Sequence, residues 1–159
     1  NTHTKNFIAE IKTKLPFTIK HVYQEVDNGF RKNQMLNKAI QIAHGEMIVF
    51  LDGDCIPHKH FIKAYAHNNK QGIAYFGRRV MLDENTSKQF TQTQDLKKLS
   101  FWNLIFTKSK RLKYALYAPS TRQKRTTGIW GCNWGILKKH LVAINGFDED
   151  YIKAGVQLL

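Results

Sequence analysis

An α/β domain with a mainly parallel sheet flanked by helices is what this sequence predicts, from three observations. Apolar runs of strand length alternate with stretches of helical periodicity, in the strand, helix, strand, helix, strand order that right-handed crossovers produce. The 159 residues suffice for one domain with a sizeable core. A 42% hydrophobic and 12% aromatic content excludes a disordered chain, and no stretch approaches the roughly 20 apolar residues of a spanning helix.

The elements follow in order. Phe7, Ile8, Ile11 and Leu15 recur at helical spacing, which predicts a helix ended by Pro16. "FTIKHVYQE", residues 17–25, alternates as a strand with Ile19, Val22 and Tyr23 toward the core, and "VDNG" follows as a loop. From Arg31 to His44, Met35, Leu36, Ala39, Ile40 and Ala43 make one apolar helix face, with Gly45 as the expected C-cap. Met47 to Leu51 then form a strand, since Ile48, Val49 and Phe50 favour that conformation. Pro57 closes an acidic loop, and "KHFIKAYAHN" reads as a helix. "GIAYFGRRVML" is a further strand, "DENTSKQ" a loop, and residues 89–117 are expected to be helical. Residues 126–151, "TTGIWGCNWGILKKHLVAINGFDEDY", supply a glycine-rich, tryptophan-bearing loop or strand, a short helix near 137–144 and an acidic turn. There is no internal repeat and no low-complexity linker.

The 25 Lys and Arg outnumber the 12 Asp and Glu, giving a net charge of +13. That charge favours nucleic acid, an anionic membrane face or phosphorylated small molecules as partners. Because the positive residues are spread along the chain, solubility alone accounts for them equally well; the longest basic cluster is 108–125. The two cysteines, Cys55 and Cys132, are too few for a disulfide framework and lack metal-site spacing, which fits a reducing cytoplasm.

The strand 47–51 ends in Asp52 and Asp54 with Gly53 between them. Buried carboxylates without a partner cost free energy, so a pair at a strand end either is solvated or faces something positive. Ligands of open α/β sheets bind beyond the carboxyl ends of the strands, and glycine lets the backbone turn there and a bulky ligand approach. Two carboxylates suit a hard divalent cation such as Mg²⁺ or Mn²⁺, which fills its shell with water and substrate phosphates. Alone, D-x-D is a weak signal whose commonest explanation is a solvated turn.

Its setting is more specific. Residues 31–57, "RKNQMLNKAIQIAHGEMIVFLDGDCIP", resemble the family-2 glycosyltransferases of the GT-A fold, with R-x-N, an alanine-bearing helix, G-E-x-I, an apolar strand, D-x-D and a proline. A second, ordered resemblance lies in "GCNWGILKKHLVAINGFDEDY", residues 131–151, where G-x-N leads through a hydrophobic helix to N-G-F-D-E.

The resemblance implies a GT-A domain, Rossmann-like and of the nucleotide-diphospho-sugar transferase type, spanning residues 1–159. Its implied activity is metal-dependent, inverting transfer of a hexosyl or N-acetylhexosaminyl group from a nucleoside-diphosphate sugar, a UDP-sugar above all. The acceptor would be a hydroxyl of a saccharide or lipid-linked molecule, in surface polysaccharide or glycan synthesis. By the same resemblance Asp52 contacts the donor, and Asp54 is the main ligand of Mn²⁺ or Mg²⁺ on the donor diphosphate. Arg31 and Asn33 border the nucleotide, and Gly131, Cys132 and Asn133 line the donor sugar. Trp134 lies near the acceptor, in a loop whose glycines argue for access, and Asp148 and Glu149 flank the acceptor cleft. Simpler roles compete: Arg31 as a solvated first-turn residue, Asn133 as a loop brace, Asp148 as a cap.

The sequence also departs from the family. Residues 1–17 lack the usual N-terminal nucleotide-binding strand, and no Glu-Asp pair follows Gly155. That pair is the source of the expected catalytic base. After Val156 the residues are Gln157, Leu158 and Leu159, none of which can take a proton from an acceptor hydroxyl. Asp148, Glu149 and Asp150 are the substitutes that come to hand, with Glu149 and Asp148 as acceptor-side candidates, but all three lie ahead of the place where the family pattern puts the base. The resemblance therefore implies that these residues bind donor and metal but do not themselves transfer sugar; an incomplete chain, with the acidic pair encoded after Val156, is the simplest account, and a truncated, inactive homologue is the alternative. The cysteine usage fits a cytoplasmic protein, and the mixed aromatic and basic residues of 89–125 suggest an acceptor-side element touching an anionic, lipid-linked acceptor or the inner membrane face, unless they simply cover the sheet. Two other classes remain open on the residues alone. A nucleotidyltransferase also holds metal with aspartates, but it would bring a glycine-rich phosphate loop near its first strand, and none is present. A basic nucleic-acid-binding domain suits the charge but leaves the paired carboxylates unexplained.

Overall fold

The computed structural model describes residues 2–26, 29–68, 70–116 and 131–151. In chain order the elements are α1 (Thr2–Lys12), α2 (Lys32–Ile42), β1 (Met47–Leu51), α3 (Phe61–His67), β2 (Tyr75–Phe76), α4 (Glu84–Thr93), α5 (Phe101–Leu104), β3 (Asn133–Leu137) and α6 (Lys138–Ala143). They fall into two compact units, one made of Asn1–Glu46 with Lys138–Leu159, the other of Met47–Leu137.

In the first unit α1 ends ahead of Pro16 but buries none of its residues. The strand expected over 17–25 does not form; the segment is irregular and has no ladder partner among the described residues. Alternation alone does not make a strand when no neighbouring edge takes up its backbone groups. Helix α2 matches its expected face, with Ile40 buried and Met35, Leu36 and Ala39 half-buried.

Gly45 is not the C-cap of α2. The helix leaves through Ala43 in an extended conformation. Its last carbonyls are taken by lysines instead: Lys20 Nζ donates to Ile42 O at 2.6 Å and Lys138 Nζ to Ala43 O at 2.7 Å. Ammonium groups there also oppose the negative end of the helix dipole. Helix α6 does end on a left-handed turn, with φ of 58° at Asn145 and 80° at Gly146 and the Gly146 N–H donating to Leu141 O at 2.8 Å. That turn drops Phe147 into the interior beside Leu141, both fully buried.

The second unit carries the sheet, and its topology corrects the parallel expectation. The strand order is β1-β3-β2, and both pairings are antiparallel. The alternating elements identified strands, but hydrophobic periodicity carries no information on direction. β1 and β2 do not pair as consecutive strands of a crossover; β3 inserts between them. Its Trp134 indole is stacked between Phe50 and Phe76, with ring centroids 4.5 and 5.8 Å away. Those two flat contacts are available only when β3 is the middle strand. Gly135 follows, and a Cβ there would lie 2.8 Å from the Tyr65 ring, so glycine lets α3 lie against the sheet.

Residues 83–89 are not a loop. Asp83 caps α4, its carboxylate accepting from the Asn85 and Thr86 amides at 3.1 Å each and from the Thr86 hydroxyl at 2.6 Å. The Ser109 hydroxyl also donates to Asp83 Oδ2, at 3.0 Å. The bonds from Thr86, with that from Ser109, hold the Asp83 carboxyl below its ordinary value, at about 2. The helical reading of 89–117 resolves into the end of α4, a 3₁₀ turn at Leu96–Leu99, the single turn α5 and a second 3₁₀ turn at Leu112–Ala115. The strand expected over 72–82 shortens to Tyr75–Phe76, with an isolated bridge from Met81 to Lys110.

Candidate functional site

The residues expected at the site divide between the two units. Asp52, Asp54, Gly131, Cys132, Asn133 and Trp134 belong to Met47–Leu137, while Arg31, Asn33, Asp148 and Glu149 belong to the other unit.

In the sheet unit, Leu51 pairs with Asn133, and the ladder runs one residue further because the Asp52 N–H donates to Cys132 O at 3.0 Å. The chain then turns tightly, with the Cys55 N–H returning to Asp52 O at 3.0 Å. Gly53 does not adopt a left-handed φ, so the turn itself does not demand glycine; what glycine leaves is open space, with nothing within 4 Å of a would-be Cβ. Asp52 is half-buried and Asp54 exposed. Cys55 Sγ lies 3.6 Å from Asp54 Oδ1. Burial first, then the neighbouring Cys132 and Asp54, push the Cys55 thiol up, which keeps it a donor toward that carboxylate.

Asn133, the first residue of β3, is held from two sides. The Tyr65 hydroxyl donates to its Oδ1 at 2.5 Å, and its carbonyl accepts from the Gly77 N–H at 2.9 Å. Gly77 presses on the amide so closely that a Cβ there would overlap Asn133 Nδ2. Burial raises the Tyr65 phenol to about 12 against a smaller opposing contribution from the Gly77 backbone, so it donates throughout the neutral range. Gly131 and Cys132 form the turn into β3. Trp134 corrects the expectation of an accessible loop. It is a strand residue 5% exposed, so any effect on an acceptor passes through the sheet that its ring holds together.

In the other unit, Arg31 precedes α2 at the N-cap position without a side-chain capping bond. Asn33 is 2% exposed; its Nδ2 donates to Asp148 O at 2.7 Å, and its Oδ1 has no partner among the described residues. One turn along α2, Asn37 donates through Nδ2 to Phe147 O and Glu149 Oε1, both at 2.9 Å, and accepts from the Phe147 N–H at 2.9 Å. Asp148 Oδ1 accepts from the Asp150 N–H at 3.0 Å. Two asparagines four residues apart on one helix face thus clamp the acidic turn. Sequence reasoning singled out Asn33 and missed Asn37, Tyr65 and Gly77; the i, i+4 repeat of asparagine was the one available signal. Val156, after which the base is expected, lies with the rest of 152–159 outside the described residues. Among the described residues, Asp148 and Glu149 are engaged by the Asp150 amide and by Asn37.

Among the described residues no group of three or more His, Cys, Asp and Glu side chains is arranged to hold a metal ion. The two carboxylates on an open turn nevertheless fit a cation that takes one or two protein carboxylates and completes its shell with water and substrate phosphates.

The structure thus gives a mixed α/β fold with a carboxylate pair at the end of its first strand. Residues 1–120 match the family described as glycosyltransferase like family 2, and the chain belongs to that family. It is therefore a glycosyltransferase of GT-A fold, using a nucleotide-sugar donor and an acceptor, which sets aside the nucleotidyltransferase and nucleic-acid-binding readings. The match includes the Asp52–Asp54 turn, while the Gly131–Tyr151 block stands outside it. No curated protein and no solved structure matches the chain.

Proposed function

We propose that residues 1–159 belong to a single GT-A-type catalytic domain of an inverting glycosyltransferase that uses Mn²⁺ or Mg²⁺, with Asp54 as the principal metal ligand and Asp52 as its companion. The observation that carries this reading is the turn after β1, where Asp52 is fixed to Cys132 while Asp54 is left exposed over open space at Gly53. When bound there, the cation supplies Lewis-acid neutralisation of the diphosphate leaving group.

The chain's own groups orient the donor. Asn133, immobilised by Tyr65 and Gly77, presents its amide toward the donor sugar, with Gly131 and Cys132 alongside; Arg31 and Asn33 face the nucleotide. Asp148 and Glu149 serve the acceptor side, where Glu149 accepts from Asn37 and Asp148 from the Asp150 amide. The reaction is a single displacement. A carboxylate base takes the acceptor hydroxyl proton, the oxygen bonds to the anomeric carbon, and the bond to the nucleoside diphosphate breaks on the opposite face. A UDP-linked hexose or N-acetylhexosamine, a saccharide or lipid-linked acceptor, and a role in surface polysaccharide or glycan synthesis at the cytoplasmic membrane face complete the reading.

Calorimetry with UDP-sugars, with and without Mn²⁺, tests it. Asp54→Ala should abolish metal-dependent donor binding and Asp52→Ala should weaken it less. Unchanged metal-dependent affinity in Asp54→Ala would remove the turn from the donor site.

A further inference from the structure

The chain's charge is unevenly distributed: between Asp95 and Asp148 there is no acidic residue at all. Within that span residues 96–116 carry Lys97, Lys98, Lys108, Lys110, Arg111 and Lys113. Asp95, at its edge, accepts from the Lys97 amide at 3.0 Å, capping the following 3₁₀ turn.

The same stretch exposes its largest apolar side chains. Phe106 is 86% exposed, Trp102 73% and Leu96 65%, while Leu104 between them is 2% exposed. The Ile105 N–H donates to Phe101 O at 3.1 Å, continuing the α-type turn. Trp102 and Phe106, four residues apart, therefore share one side, and Leu104 is turned inward. Single exposed apolar residues are ordinary; two exposed aromatics one turn apart, with lysines close in sequence, mark an interaction surface.

We propose that the Leu96–Lys113 face docks on an anionic phospholipid bilayer, with Trp102 and Phe106 entering the headgroup–acyl boundary and the lysines meeting lipid phosphates. Charge complementarity selects this occupant. A second copy meeting it through the same face would press like charges together, and nucleic acid would satisfy the lysines and stack on the aromatics but leave Leu96 without an apolar partner. Tryptophan is at home at a membrane interface, where an apolar body and a polar N–H are both accommodated. No helix among the described residues is long and apolar enough to cross a membrane, so the contact is one of lying on the surface. The inference rests on this face alone and not on the donor site.

The test is flotation of the whole chain with vesicles of phosphatidylcholine alone or mixed with phosphatidylglycerol. Binding should require phosphatidylglycerol and weaken with salt. The pair Trp102→Ala and Phe106→Ala should lower the partition coefficient about tenfold or more, as should Lys108→Gln with Lys110→Gln. Both sets change exposed residues, and an unaltered circular dichroism spectrum and thermal unfolding midpoint identify a folded protein. No binding to anionic vesicles at low salt, or binding that both variants leave intact, overturns the proposal. So does a concentration-dependent dimer, or an oligonucleotide complex, that is lost in Trp102→Ala/Phe106→Ala while vesicles are ignored.

Discussion

The Tyr65 hydroxyl donates to Asn133 Oδ1 at 2.5 Å, so a residue of α3 fixes the side chain at the start of β3. Tyr65→Phe keeps the ring that packs over Gly135 and removes only this bond. Stability should fall by about 1 kcal/mol, the usual worth of one such hydrogen bond, and donor affinity should drop because Asn133 is free to rotate. Urea unfolding and UDP-sugar calorimetry on the same protein read both effects. The wild-type phenol, raised from 10.0 to about 12, also predicts a pH signature. Its stabilisation is complete below pH 10 and lost as pH rises toward 12, and Tyr65→Phe should flatten that decline.

Gly77→Ala should be costly because its Cβ would overlap the Asn133 amide. Overpacking of this kind costs roughly 1–3 kcal/mol. Adding Asn133→Ala removes the obstructing atoms, so the double variant should recover much of the loss. Additive destabilisation in that cycle would place the cost of Gly77→Ala elsewhere.

Asn37→Leu is expected to loosen the acidic turn by about 2–4 kcal/mol, since it strips partners from the buried Phe147 backbone and from Glu149 together. Amide exchange at Phe147 should accelerate well beyond that of the α2 interior. Asn37→Asp should behave worse above the carboxylate range than below it, because the new charge would face Glu149.

Asp83→Ala should lower the thermal midpoint of unfolding and fray the start of α4, seen as faster exchange at the Asn85 and Thr86 amides. The lowered pKa fixes the sign of the pH effect. The wild-type advantage is present above the ordinary carboxylate value of 3.8 and disappears as pH falls through about 2. Asp83→Ala should lack that acid-side loss.

Much of the architecture was legible because local physics wrote it. The face from Met35 to Ala43 and the strand Met47–Leu51 are set by spacing and side-chain shape, and both appear where expected. Strand direction was not legible: it depends on Trp134 finding Phe50 and Phe76, a contact between segments far apart in sequence. α4 was missed because Asn85, Thr86 and Ser87 are turn formers by propensity, and a carboxylate cap with a threonine hydroxyl overrides them. The end of α2 was misassigned because Lys20 and Lys138, not a local glycine, close it. At the site, the charged residues drew attention, whereas Tyr65, Gly77 and Asn37, which hold the others still, carry no chemical signature of their own.

The central place of β3 has a consequence for synthesis on the ribosome. β1 and β2 leave the exit tunnel long before the strand that pairs with both, so neither gains its sheet hydrogen bonds until residues 133–137 emerge. Contacts of such sequence separation are slow to close and leave apolar edges such as Ile48–Phe50 uncovered while they wait. Asp52 acquires its bond to Cys132 in that same late event. The turn proposed for the donor is therefore unformed in the nascent chain, and chaperone protection is most needed in the interval between the translation of Phe76 and of Trp134.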